Sequence, residues 1–184
     1  MYRIDDLSCR AGRIGLGPMP GRGGDYTADL AAIRAWGPDL VISMTPEADL
    51  ARHGAAGLGA DLAAAGIRWR QVATEDYGVP GPAAAQEWEA LAQEAARLLD
   101  GGGRVLAHCV AGCGRSGMAL LRLMVEAGEV PGPALARLRA ARPCAVERPA
   151  QFDWAAEPWT RGGGEGERPG ATQADPVAAA SFRT

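Results

Sequence analysis

One stretch constrains this chain more than any other: Val105-Leu106-Ala107-His108-Cys109-Val110-Ala111-Gly112-Cys113-Gly114-Arg115-Ser116-Gly117. An apolar run ends in His-Cys, crosses a glycine-bearing loop, and meets Arg-Ser-Gly at the head of an apolar, helix-like pattern. A strand followed by a tight loop lets successive backbone N–H groups converge on one centre. The next helix is predicted to start near Ser116, so its positive dipole end and unpaired N–H groups point at the same place. Both fields favour a thiolate at Cys109, and Arg115 adds a fixed positive charge. The planar guanidinium fork suits a tetrahedral oxyanion because it donates two parallel hydrogen bonds. The stretch reads as an anion cradle with a nucleophile at its floor, lined by the backbone of Val110, Ala111, Gly112, Cys113, Gly114 and Arg115.

The pattern His-Cys-x5-Arg-Ser-Gly resembles the signature loop of the cysteine-dependent protein tyrosine and dual-specificity phosphatases. Cys109 and Arg115 alone would also suit rhodanese-like or arsenate-reductase-like sulfur enzymes; His108, Gly112, Gly114, Ser116 and Gly117 make the match specific. The resemblance implies a phosphocysteine intermediate on Cys109. It implies that His108 orders the loop and helps hold the cysteine ionised, and that the Ser116 hydroxyl assists departure of the thiolate. Read from the residues alone, His108 is a buried strand residue and Ser116 a helix cap.

Thiolate attack on a phosphomonoester expels an alkoxide or phenoxide, which needs a proton. Glu75-Asp76 lies in a loop just after a predicted strand, where α/β proteins place their chemistry. The run Glu75-Asp76-Tyr77-Gly78-Val79-Pro80 resembles the acid loop of small dual-specificity phosphatases. That match implies Asp76 as general acid and later as base for water, with Glu75 the weaker substitute. Gly15-Leu16 with Pro20-Gly21, the turn from Thr45 to Leu50, and Arg142 to Phe152 extend the resemblance to the kinase-associated phosphatase branch, over roughly Arg13 to Trp154. Gln151 and Phe152 fit that branch's C-terminal motif, whereas Glu147 and Arg148 stand where it carries Gln and Thr.

Two other readings of the central stretch fail on their own requirements. Gly112-x-Gly114-x-x-Gly117 fits a dinucleotide fingerprint, but that needs a following strand ending in an acid about 20 residues on. Val125 to Pro133 leads to another helix instead. His108, Cys109 and Cys113 lack the second Cys/His cluster that a structural zinc site requires. Neither a metal nor any cofactor is expected.

Composition narrows the field further. The 19 basic and 22 acidic residues leave the chain mildly acidic, which argues against nucleic acid or a membrane as partner. The chain contains no lysine, so a Walker-type phosphate loop and Schiff-base chemistry are excluded. No apolar run reaches transmembrane length, and Met1 to Arg10 lacks the apolar core of a signal peptide. Cys9, Cys109, Cys113 and Cys144 do not look like a disulfide framework, so a reducing cytoplasm is expected. Cys113 is expected to be a bystander of Cys109 within the curled loop.

The patterns predict strands over Met1–Ser8, Asp39–Met44, Ile67–Val72 and Arg104–His108. Arg13 to Gly21 reads as glycine-rich turns. Helices are predicted over Asp25–Trp36, from Pro46 with Thr45 as its cap, over Leu58–Ala65, Ala83–Leu99, Ser116–Ala127 and Pro133–Ala141, and briefly from Pro149 to Trp154. Alternating strand and helix units predict a single α/β domain, a central mostly parallel sheet of about four to five strands with helices on both faces. The phosphatase domain is expected over 1–156. Residues 157–184, rich in glycine and charge, are expected to be a flexible tail.

The expected activity is hydrolysis of a phosphomonoester, on a phosphorylated protein or a small molecule. Val110, Ala111 and Cys113 carry no charge, which favours a singly phosphorylated group over inositol phosphates. Two alternatives share the loop: a sulfurtransferase or arsenate reductase, which needs no Asp76, and a non-catalytic phosphopeptide-binding module, which has no need of Cys109, Arg115 and Asp76 together.

Overall fold

The structure, a computed structural model, describes residues 2–162. Five strands form one sheet in the order β1-β2-β5-β3-β4, with β1 at Asp5–Cys9, β2 at Gly12–Gly17, β3 at Leu40–Ser43, β4 at Arg68–Gln71 and β5 at Arg104–His108. β2, β5, β3 and β4 run parallel, and β1 closes one edge antiparallel to β2. The expected α/β class and strand number hold.

Period-two alternation explains why helices cover both faces. Leu40, Ile42, Val105 and Ala107 point to one side and pack with Trp88, Leu91, Met118 and Leu121. These come from α4 (Pro82–Asp100) and α5 (Gly114–Glu126). Val41 and Leu106, one residue out of phase, pack on the other side with Leu30, Ile33, Leu50, Leu58 and Leu62. Those belong to α1 (Tyr26–Trp36), α2 (Glu47–Arg52) and α3 (Leu58–Ala64). α6 (Pro131–Ala141) and α7 (Pro149–Gly162) complete the first layer. α5 is buried on every side from Gly114 to Val125, as an apolar helix at the centre of a layer must be.

Three expectations need correction. The glycines of Arg13–Gly21 do not all make turns, because Gly15 and Gly17 lie inside β2. They are there for close approach: a Cβ on Gly15 would stand 2.9 Å from Ile4 and Trp36, and one on Gly17 would stand 2.8 Å from the Tyr2 hydroxyl. Thr45 does not cap α2; Pro46 holds that position, and the buried Thr45 Oγ1 has no partner. The last helix does not stop at Trp154 but runs to Gly162, with Glu157 accepting from Arg122 Nη1 at 3.2 Å. Beyond residue 162 the expected tail lies outside the described residues. Among the described residues no helix is long and apolar enough to cross a membrane.

Candidate active site

The central stretch folds as a strand, a loop and a helix. β5 ends at His108, Cys109 lies 2% exposed at the loop's start, and α5 begins at Gly114, earlier than Ser116. Gly112 turns the loop with φ +71, and a Cβ there would meet the Gly17 backbone at 2.5 Å. Only glycine permits that conformation and that approach together. Met19 N–H donates to the Val110 carbonyl at 3.2 Å, so the turn after β2 braces the loop from outside. No loop or capping hydrogen bond among the described residues uses the N–H groups of Ala111 to Ser116 as donors, which leaves them open to an anion. Ser116 is the third helical residue, not the cap, and its Oγ lies 3.4 Å from Cys109 Sγ.

His108, next to Cys109 in the chain, is fully buried. Its Nε2 is 2.6 Å from Ser43 Oγ, at the end of neighbouring β3, and Trp69 Nε1 donates to that same oxygen at 2.8 Å. Trp69 occupies one lone pair of Ser43 Oγ and leaves the other lone pair and the hydroxyl proton to face Nε2, while the buried Nδ1 has no hydrogen-bond partner. Burial pushes the imidazole down to about 4; the Cys109 backbone opposes this and the Arg115 charge adds to it. His108 is therefore neutral at physiological pH, and any help it gives the cysteine passes through hydrogen bonding and loop order, not through charge.

Arg115 is 3% exposed and has three partners from two segments, α2 and the loop after β4. Nη1 lies 3.3 Å from Asp49 Oδ2 of α2 and donates to the Thr74 carbonyl at 3.0 Å. Nη2 lies 3.2 Å from Asp76 Oδ1, on a side chain 67% exposed. Asp76 thus stands over the cradle while Glu75 faces solvent and offers its carbonyl to Gly78 N–H at 2.9 Å. Asp49, noticed in the sequence only as a first-turn acid, is a site residue that pattern reading missed. No local signal marks it, because its role arises only when folding brings α2 to Arg115, 66 residues away.

The segment between α6 and α7 closes another side. Cys113 is bonded to Cys144, which corrects the expectation that the cysteines form no disulfide and that Cys113 stands by as a free thiol. The two are 31 residues apart but their Cα atoms approach to 5.2 Å, a proximity created by folding. Cys9 and Cys109 remain free and buried, and burial pushes the Cys9 thiol up to about 11. Gly117 accommodates this segment, since a Cβ there would lie 2.7 Å from Val146 N. After α5 only helices follow among the described residues, so the dinucleotide reading finds no strand. A separate groove of about 550 Å³ along β4 and α4 contains none of the cradle residues. Its Arg68 and Arg70 are already paired with Glu94.

Residues 25–129 match the family described as "Polymorphic toxin system, DSP-PTPase phosphatase". The chain belongs to this family. No curated protein sequence matches it. The fold is similar to that of kinase associated phosphatase carrying serine at its catalytic-site cysteine, with a TM-score of 0.75 and 20% identity over 87% of this chain and 95% of that one. It is also similar to Tk-PTP in its active form (0.66, 24%, 82% and 93%), and to PTPMT1 in complex with PI(5)P (0.65, 18%, 86% and 99%). The expected resemblance to the kinase-associated phosphatase branch holds at the level of fold. Family membership makes the protein an enzyme, a cysteine-dependent phosphatase of the tyrosine and dual-specificity type whose substrates are phosphoesters. Nothing favours the sulfurtransferase, arsenate-reductase or binding-module alternatives.

Proposed function

We propose that the enzyme dephosphorylates singly phosphorylated side chains of proteins, in two half-reactions through a phosphocysteine on Cys109. The open N–H groups of the loop from Val110 through Gly114 and the Arg115 guanidinium hold the phosphoryl oxygens. The Cys109 thiolate attacks phosphorus, the bond to the leaving oxygen breaks, and Asp76 gives that oxygen its proton. Water then attacks phosphorus, the Asp76 carboxylate takes the water's proton, and Cys109 leaves as thiolate with the Ser116 hydroxyl donating to it. His108 keeps the loop in register through Ser43. Such catalysis rests mostly on positioning and electrostatics.

The observation that carries this reading is the 3.2 Å approach of Asp76 to Arg115, which sets an exposed acid across the cradle from a buried thiol. The uncharged Val110, Ala111 and Cys113 support a single phosphate on a protein side chain. For compartment we propose the cytoplasm, where the Cys113–Cys144 pair is expected as two thiols; thiol counting on protein alkylated in cells checks this.

The test of the acid is Asp76→Ala on two substrates. General-acid help contributes about 10²–10⁴-fold, so alkyl phosphate turnover should fall by a factor in that range. An aryl phosphate with a good leaving group should lose far less. Equal losses would assign Asp76 to structure or binding.

A further inference from the structure

Asp76 sits on a loop that its own contacts hardly restrain. The Asp76 side of its ion pair with Arg115 is 67% exposed, where solvent weakens the hold on the loop, and Tyr77 beside it is a non-glycine residue at φ +58. Such a conformation persists only where surrounding structure enforces it.

The surrounding structure comes from one segment near the chain's end. Buried Gln151 donates from Nε2 to the Gly78 carbonyl at 3.3 Å. Its Oε1 accepts from the N–H groups of Glu147 at 2.9 Å and Arg148 at 3.3 Å, so one amide ties both sides together. The Arg148 guanidinium lies 4.4 Å from the centre of the Tyr77 ring, within cation–π range. Tyr77 is 51% exposed and has little else to fix its ring. The segment packs on the start of α5, where a Cβ on Gly114 would meet Glu147 Oε2 and one on Gly117 would lie 2.7 Å from Val146 N. The Cys113–Cys144 bond adds to this contact, and Arg139 of α6 holds the segment from its other side by donating to the carbonyls of Ala145 at 2.9 Å and Val146 at 2.7 Å.

We propose that Arg148 is a positioning residue: stacked on Tyr77 and backed by the Gln151–Gly78 hydrogen bond, it holds the acid loop where Asp76 meets Arg115. The phosphate loop and the acid loop are thereby referenced to one anchor. The catalytic consequence rests on the reading of Asp76 as the acid; the holding of the loop does not.

Arg148→Ala, Arg148→Lys and Tyr77→Ala in the full chain test this by two readouts. Losing an exposed cation–π contact corresponds to about a 3-fold rise in the ratio of open to held loop. In Arg148→Ala and Tyr77→Ala, backbone hydrogen exchange across residues 75–79 should therefore quicken by about that factor. Alkyl phosphate kcat should fall by up to that factor, with KM and aryl turnover unchanged. Arg148→Lys should restore most of both, and adding Arg148→Ala to Asp76→Ala should cost nothing more. Unchanged exchange at residues 75–79 overturns the proposal, as does an equal loss on both substrate classes. If exchange quickens but Asp76→Ala shows no leaving-group selectivity, the clamp stands and the acid assignment falls.

Discussion

Neutral, buried His108 predicts an acid-labile fold with a calculable share from one side chain. In the unfolded chain the imidazole titrates at its ordinary 6.5, whereas in the folded protein burial holds it down to about 4. Between those values the unfolded state binds a proton that the folded state refuses. The stabilising contribution is therefore fully present above pH 6.5 and is lost as pH falls toward 4. The gap corresponds to roughly 3 kcal/mol once both values are crossed, most of it already lost at pH 4.5. Urea unfolding of wild type and His108→Gln at pH 7.5 and pH 4.5 isolates the effect, because carboxylates titrate alike in both. Wild type should lose roughly 2–3 kcal/mol more than the variant over that interval. The chain has only 2 histidines, so imidazole resonances give a second check: the His108 signal should not titrate above pH 5. Equal acid sensitivity of the two proteins, or a His108 midpoint near 6.5, would refute the reasoning.

Two more predictions concern residues around the cradle. Asp49→Ala leaves Arg115 its Thr74 and Asp76 partners but removes a charge-assisted bond of a kind that contributes ~1.5–3 kcal/mol. Because the contact is long, the inhibition constant of vanadate should rise by the low end, about 10-fold. Opening the Cys113–Cys144 bridge frees a loop of 31 residues, which by chain entropy costs roughly 3–4 kcal/mol. Dithiothreitol should lower the urea midpoint of wild type accordingly and leave Cys144→Ala unmoved; a shift that persists in the variant would implicate Cys9 or Cys109.

The fold was largely legible in the sequence because its determinants are local. The apolar runs at Leu40–Ser43 and Arg104–His108 declare buried parallel strands, and the breaks at Gly37-Pro38 and Gly101 to Gly103 separate them from their helices. The cradle is equally local, one strand, one loop and the start of one helix, so Cys109 and Arg115 stand out unaided. What surrounds it is not local. Asp49 reaches Arg115 across 66 residues, Ser43 reaches His108 across 65, and Thr74 reaches Arg115 across 41. None of these partners follows a period or a spacing rule. The disulfide escaped notice for the same reason, since Cys144 carries no mark of its position until α6 and α7 fold against α5. Gly15 and Gly17 misled in another way: glycine signals a turn or a close approach alike, and only the packing of Ile4, Trp36 and Tyr2 decides which.

The central claim is that Cys109 carries the phosphoryl group between the half-reactions. Acid quenching during turnover of an aryl phosphate by Asp76→Ala, which is expected to slow release of the intermediate, followed by peptide mass mapping, tests it directly. The account predicts one phosphoryl group on the peptide containing Cys109, absent from the same peptide of Cys109→Ser, which should not turn over. A phosphoryl group on any other residue, or undiminished turnover by Cys109→Ser, would contradict it.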